Sequence, residues 1–346
     1  MEKLKSRFED VVPSVKSHAR AASKTVSIAL QGGGSHGAFT WGVLDRLLED
    51  GRISIDGLSG ASAGAINAAV LAHGYTAGGR DGARESLQVF WESVCGVEAF
   101  NFIANQMSHA YVRLARHFSP YQLNPLNLNP LRNVLAGQID FERLRADCRL
   151  KLFIAATEVD TGMLRLFQNA ELTLDVLLAS SCLPQFHHSV EIDGVAYWDG
   201  GLTANPPIRP LLYKCDAEDI VLLLLNPRRR KHVPSTVEGI GERLTEISFS
   251  SALFAELQGI ALAKQEAENG MLLSGSLERR LKRLKMHAIE SPELMEQLEP
   301  LSKLDTHASF IKALFEEGHT CADAWLASHY DAVGLRSSFP LADHLI

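Results

Sequence analysis

A serine set among small residues, Gly60-Ala61-Ser62-Ala63-Gly64, follows the apolar run Ile53 to Leu58 and precedes Ala65-Ile66-Asn67-Ala68-Ala69-Val70-Leu71. The first run suits a strand and the second a helix. G-x-S-x-G at such a junction is the sequence form of a nucleophile elbow, a sharp turn that lifts a serine hydroxyl above a sheet. Gly60 and Gly64 fit that turn because larger side chains would collide where the backbone doubles back. The first amides of the following helix then face the serine oxygen and favour negative charge developing there. The spacing points to attack of a serine on an acyl group.

Upstream, Thr25-Val26-Ser27-Ile28-Ala29-Leu30 reads as a short buried strand running into Gln31-Gly32-Gly33-Gly34-Ser35-His36-Gly37, with a helical segment ending near Asp50. Gly32, Gly34 and Gly37 spell G-x-G-x-x-G, and two uses of the same physics fit it. Backbone N–H groups freed by glycine can point at a dinucleotide phosphate or at an acyl oxyanion. A dinucleotide unit continues into a strand ending in an acidic residue for the ribose. Here that strand ends at Gly60 to Gly64, and Asp56 lies in the turn-like Ile55-Asp56-Gly57. The oxyanion use is favoured, with a dinucleotide-dependent oxidoreductase as an alternative. Downstream, Asp193-Gly194 marks a hairpin turn and Asp199 stands before Gly200 and Gly201, a pattern that alone is equally a plain turn.

Taken in order, four features resemble the patatin-like phospholipase family over about residues 25 to 226. They are the loop Gly32 to Gly37, the elbow at Ser62, the block Ala179-Ser180-Ser181-Cys182-Leu183-Pro184, and Asp199-Gly200-Gly201 followed by Asn205-Pro206-Pro207. The resemblance implies an α/β protein of three-layer α/β/α architecture with a mostly parallel central sheet. It also implies a Ser-Asp dyad without the usual histidine, and acyl hydrolysis of lipid esters. Ser62 would be the nucleophile, Asp199 the base, and the amides of Gly32, Gly33, Gly34 and Ser35 the oxyanion hole. Gly60, Gly64, His36, Gly37, Gly200 and Gly201 would support them. No organic cofactor and no metal is expected. The expected partner is a lipid or acyl-ester substrate, phospholipid first, with galactolipids, lysophospholipids, simpler acyl esters and a polyester open. A serine hydroxyl is a poor nucleophile at neutral pH, so a carboxylate must take its proton and return one to the leaving alcohol. An ordinary aspartate is too acidic for this, so Asp199 is expected in an apolar site with Tyr197 and Trp198 as candidate walls.

Two departures bear on mechanism. The family usually carries Lys or Arg where His36 stands and often Asp where Gln31 stands. Histidine brings positive charge only below its pKa, which makes His36 a candidate pH-sensitive element; the plainer alternative is a neutral, locally hydrogen-bonded ring. His187 and His188 precede Asp199 closely enough to raise a Ser-His-Asp triad. The dyad resemblance favours instead that they face solvent or line the acyl entrance.

The elements that must position these residues are strands at 151 to 157 and 219 to 225, with a mostly helical chain beyond. The domains expected are a tail over 1–24, a catalytic domain over 25–230 and a C-terminal helical extension over 231–346. A Gly78-Gly79 turn precedes a helix carrying Leu87, Phe90, Trp91 and Val94. The Asn-Pro repeats of 118–131 break helix and suggest an ordered loop that lines an acyl tunnel, acts as a lid, or merely packs on the core. Five cysteines without metal spacing argue against a disulfide framework and for a reducing compartment, with Cys182 a buried small hydrophobe. The N-terminus lacks a secretory core and no apolar run reaches membrane-spanning length, so a cytoplasmic protein is expected. Net charge is −7, so attraction to anionic lipid must be local. Its candidates are Arg228 to Lys231 and the helix-like Leu277 to Lys285, where Leu277, Leu281 and Leu284 share a face; the plainer alternative buries those leucines on the core. The basic runs lack interleaved aromatics, which disfavours nucleic acid. A catalytically idle or activator-dependent lipid-binding protein is the other alternative.

Overall fold

The computed structural model describes residues 23–96, 117–228, 230–231, 233–270 and 275–344. The expected tail lies almost wholly outside these residues, as does Arg229 of the first basic cluster.

Near-continuous apolar runs become strands buried on both faces, the pattern of a parallel sheet covered by helices. In chain order the strands are β1 (Lys24–Leu30), β2 (Ile53–Gly60), β3 (Lys151–Glu158), β4 (Leu164–Gln168), β5 (Val190–Ile192), β6 (Val195–Asp199), β7 (Asp219–Leu223) and β8 (Lys285–Ile289). They form one sheet of order β5-β6-β3-β2-β1-β7-β8, with β4 also on β3. The pairs β3–β2, β2–β1, β1–β7 and β7–β8 are parallel, whereas β4 and β6 meet β3 antiparallel. The hairpin joining β5 to β6 turns at Asp193 and Gly194, both at positive φ, as the Asp-Gly signal predicts.

Strand alternation sends Val26, Ile28, Leu30, Leu58, Leu152, Ile154, Val221 and Leu223 into one apolar layer. That layer is closed by α1 (Gly37–Asp50), α2 (Ala63–Gly96), α4 (Pro130–Gln138), α5 (Phe141–Asp147), α6 (Leu174–Ser180), α10 (Pro292–Gln297) and α11 (Ala308–His329). Ala29, Phe153, Ile220, Leu222 and Met286 face the other way, against α7 (Arg209–Lys214), α8 (Val237–Asn269) and α9 (Ser276–Arg283). A short α3 (Pro120–Leu123) lies in the connecting loop. The result is the three-layer α/β/α architecture with a mostly parallel sheet. α2 is two helices joined at Gly78 and Gly79, where the turn was expected.

The chain beyond residue 230 is mostly helical but also contributes β8, which the sequence reading missed. Lys285-Met286-His287-Ala288-Ile289 holds one β-branched residue and follows directly on a basic helical pattern, so its strand signal is weak. α11 crosses α1 at glycines: a Cβ on Gly42 would strike the Phe315 carbonyl, and one on Gly318 the Phe39 carbonyl. α9 buries Leu281, Leu284 just past its end is buried too, and Leu277 is exposed, so two of the three leucines serve the core. None of the described helices is long and apolar enough to cross a membrane.

Candidate functional site

Ser62 sits between the end of β2 and the start of α2 with φ 54°, a left-handed value that costs a non-glycine residue of order 1–3 kcal/mol. The surroundings hold it there. Its N–H donates to both the carbonyl and the hydroxyl of Ser180, each at 3.1 Å. Gly60 and Gly64 are required by close approach, since a Cβ on Gly60 would meet the Gly64 carbonyl and one on Gly64 the Leu30 carbonyl. Ser62 is half-buried and heads a helix whose dipole favours an anion at that end.

Asp199 closes β6 opposite Ala156 and is fully buried. Its N–H donates to the Cys182 carbonyl at 2.8 Å, and Oδ1 accepts the Gly201 N–H at 2.7 Å. Burial pushes the carboxyl up to about 7, against the Gly201 amide, the Ser62 hydroxyl and the charge of Lys303, which all favour its ionised form. Oδ2 has no partner of good hydrogen-bond geometry among the described residues, although the Ser62 hydroxyl lies near enough to act on the carboxyl. A buried carboxyl poised near neutrality beside a serine can accept a proton. Alternation along β6 turns Trp198 to the opposite face from Asp199, so of the two expected walls only Tyr197 shares its side. Phe249 of α8 packs where a Cβ on Gly201 would fall, next to Asp199 Oδ1.

The glycine loop runs from β1 into a 3-10 turn at Gly34–His36. Gly32 lies so close to Ser62 that a Cβ there would fall 2.8 Å from Ser62 Cβ. The Gly32 N–H is committed to Asn205 Oδ1 at 2.6 Å, which leaves Gly33, Gly34 and Ser35 as the loop amides without a partner among the described residues. Gln31 pins the loop from below: Oε1 accepts the N–H groups of Leu225 and Asn226 at 2.7 and 2.9 Å, and Nε2 donates to the Asn205 carbonyl at 3.2 Å. Gly37 crosses against Ala63, and Gly200 against Ala155.

His36 is buried, with Nε2 2.8 Å from Ser302 Oγ. Burial, followed by the charges of Lys303 and Arg230, lowers its pKa to about 3. The ring is neutral across ordinary pH and hydrogen-bonded locally, which fits the plainer alternative for His36 rather than a pH-sensitive element. His188 stacks on Tyr121 at 4.1 Å between centroids, and its Nε2 lies 3.2 Å from the Pro120 carbonyl. Burial, followed by the charge of His188, lowers the pKa of His187. No described hydrogen bond joins either histidine to Ser62 or Asp199. They line, with Asn127, Asn129, Arg132, Leu178, Cys182 and Val190, a cavity of about 20 Å³, room for about one water.

Asp56 is spent on structure, its Oδ2 accepting the N–H groups of Asp216 and Ala217 and its Oδ1 lying 3.2 Å from Lys151. That removes the acidic residue a ribose would need. The described residues hold no cluster of His, Cys, Asp or Glu arranged for a metal. Cys182 is a buried thiol whose pKa burial pushes up to about 12, as expected of a small hydrophobe. The sequence reading missed the work of Asn205, Gln31, Ser180 and the Ser302–Lys303 turn. Of these, only Asn205-Pro206-Pro207 and the Ser180 block carried a visible signal.

A family model described as "Patatin-like phospholipase" matches residues 28–212. "Uncharacterized protein YjjU" of Escherichia coli (strain K12) is 25% identical over 222 residues, covering 60% of this chain and 54% of that protein. The chain thus spans about half the length of this curated relative. Among solved structures, that of VipD from Legionella pneumophila aligns with a TM-score of 0.43 at 15% identity, covering 89% of this chain and 67% of that one.

Proposed function

The chain belongs to the patatin-like phospholipase family, and on that premise we propose that it is a serine acyl hydrolase that cleaves carboxylic esters of lipids through a Ser62–Asp199 dyad. The observation that carries this reading is the pairing of an elbow serine at φ 54° with a fully buried aspartate whose carboxyl is poised at about 7. Ser62 Oγ attacks the acyl carbon while the Asp199 carboxylate takes its proton. The oxyanion forms against the amides of Gly33, Gly34 and Ser35, placed by a loop that Gln31 and Asn205 hold rigid. Collapse expels the alcohol, which leaves with the proton from Asp199. Water, deprotonated by Asp199, then attacks the acyl-Ser62 carbonyl, and the fatty acid departs as the serine recovers its proton. A neutral His36 gives no charge to the oxyanion and instead anchors the loop through Ser302. Phospholipid is the first substrate, and contact with a membrane surface would be peripheral.

Hydrolysis of a fatty-acyl ester series and of phospholipid vesicles by wild type, Ser62→Ala and Asp199→Asn tests this, with folding checked by circular dichroism. Each substitution should lower kcat/KM by at least about 10³. Activity that survives Ser62→Ala would remove the proposed nucleophile.

A further inference from the structure

The outward face of α8 lacks the charges that a solvent-facing helix ordinarily carries. Val237, Ile240, Leu244, Ile247 and Leu262 recur along it at helical spacing, and Val237 and Leu244 are 79% and 61% exposed. Ser251, Ala255 and Gly259, each four residues from the next, share that face and are exposed as well. No charged residue falls on the stripe between Val237 and Leu262. Glu238 and Glu242 lie off it by their spacing, Glu246 holds Arg230 and Arg243, and Glu256 accepts the N–H groups of Ile208 and Arg209 at the start of α7. The hydroxyls along it are spent inside the helix, Ser248 donating to the Leu244 carbonyl at 2.9 Å and Ser251 to the Ser248 carbonyl at 3.1 Å. A contiguous exposed face of this kind marks a contact.

We infer that this face pairs with the same face of a second copy of the chain, the two α8 helices running antiparallel about a two-fold axis level with Leu253. A two-fold contact requires a self-complementary surface. The operation brings Leu244 level with the partner's Leu262, Ile247 level with the partner's Gly259 and Ser251 level with the partner's Ala255, so leucine meets leucine and the other pairs keep a small member. A Cβ on Gly259 would meet nothing within 4 Å, so the surface there is open, and small residues let two helix axes approach closely. With no charge on the stripe, two copies bring no like charges together. A lipid surface suits the face less, since interfacial helices border their apolar side with free Lys or Arg and carry bulky residues throughout. Here Arg243 is committed to Glu246, and the middle of the stripe is small. From Val237 to Leu262 the stripe is about 38 Å long and about 10 Å wide, roughly 400 Å² per copy. A standard interface buries about 800 Å² per partner, so the pair should be weak and depend on concentration. Pairing uses none of the residues assigned to catalysis, so it stands or falls apart from the hydrolase reading.

Sedimentation velocity of wild type, Leu244→Glu and Ala255→Arg, each checked by circular dichroism, tests the pairing. The mass of the wild type should climb from one chain, 37.9 kDa, toward two as its concentration rises through about 10⁻⁶ to 10⁻⁴ M. Both variants should stay at one chain over that range. Both positions are exposed, so neither substitution removes a core contact, and should one variant fail to fold the other carries the test. Orientation is read by oxidative cross-linking mapped by mass spectrometry. Ser251→Cys, close to the axis, should form a disulfide between copies, and Val237→Cys, at the far end of the stripe, should form none. A cross-link at Val237→Cys would overturn the antiparallel arrangement. A wild type that stays at one chain throughout, or variants that pair as the wild type does, would overturn the inference. A monomeric wild type retained on phosphatidylglycerol vesicles, with Leu244→Glu released, would overturn it too and assign the face to a lipid surface.

Discussion

Asp199 is expensive to hold as a carboxylate and is useful for that reason. Its folded-state value of about 7 lies above the ordinary 3.8, so the folded protein binds the extra proton between these limits. Stability from this group is therefore greatest at low pH and is lost as pH rises through about 7. Asp199→Asn, a neutral near-isostere, should stabilise the fold by an amount on the order of a few kcal/mol near about pH 8. The gain should vanish near about pH 4, and urea unfolding at the two pH values measures it. Activity should run the opposite way. A base must be ionised, so kcat/KM in the wild type should fall as pH drops below about 7, read from a pH-rate profile. At this scale the sequence was informative about Ser62, Asp199 and the glycines, because a tight turn and a close backbone approach each demand a small residue at a fixed place. It was silent on Gln31 holding Leu225 and Asn226, since that contact joins residues 194 and 195 positions apart through the parallel pairing of β1 with β7. His36 left two readings open for a related reason: residue type shows that a ring can titrate, whereas its burial depends on the turn at Pro300–Leu304.

The elbow and the loop at 118–131 differ in how firmly they are held, and their substitutions should differ accordingly. Gly64→Ala drives a methyl into the Leu30 carbonyl at the junction of β1, β2 and α2. It should cost about 1–3 kcal/mol or more, seen as a lowered midpoint in thermal unfolding with activity lost alongside. The loop is ordered by its own polar groups: Ser119 and Gln122 cap α3, the Asn124 side chain bridges to Leu128, and Asn129 caps α4. It is latched to the segment before β5 by Tyr121, which meets Ser189 as well as His188. Leu126 and Leu128 remain 78% and 67% exposed, an unusual use of leucine in a loop that does not need it for packing. Replacing both with Ser should reduce hydrolysis of vesicle lipid by about ten-fold or more and spare a short soluble ester, if these side chains meet acyl chains. Equal loss on both substrates would argue for a structural role instead. Asn-Pro repeats made the loop readable as ordered and non-helical. Its latch was not readable, because stacking between Tyr121 and His188 is a tertiary event.

The whole molecule is more tightly knit than a catalytic domain with helices appended. β8 extends the sheet beside β7, α11 lies on α1 through paired glycines, and the turn between α10 and α11 reaches the glycine loop. Leu314 on α11 is 1% exposed within the same apolar layer as β1 and α1. Leu314→Ala should therefore lower stability by about 2–5 kcal/mol in urea unfolding, as for any core leucine. A chain ended after residue 284 should bind a hydrophobic dye and lose cooperative unfolding, because it uncovers that layer. A cooperative, active truncated chain would show the last segment to be dispensable. The central fold was legible because parallel strands buried on both faces leave long apolar runs. The return of the C-terminal chain to the sheet was not, because one β-branched residue in five leaves little strand signal beside a basic helix.

The most direct test is a covalent one. A fluorophosphonate carrying a long alkyl chain reacts only with an activated serine, and the adduct is mapped by mass spectrometry of the digested protein. Modification should fall on Ser62 alone, be absent in Ser62→Ala, and slow by at least about 10² in Asp199→Asn. A folded wild type left unlabelled, or labelled at a serine other than Ser62, would contradict the dyad.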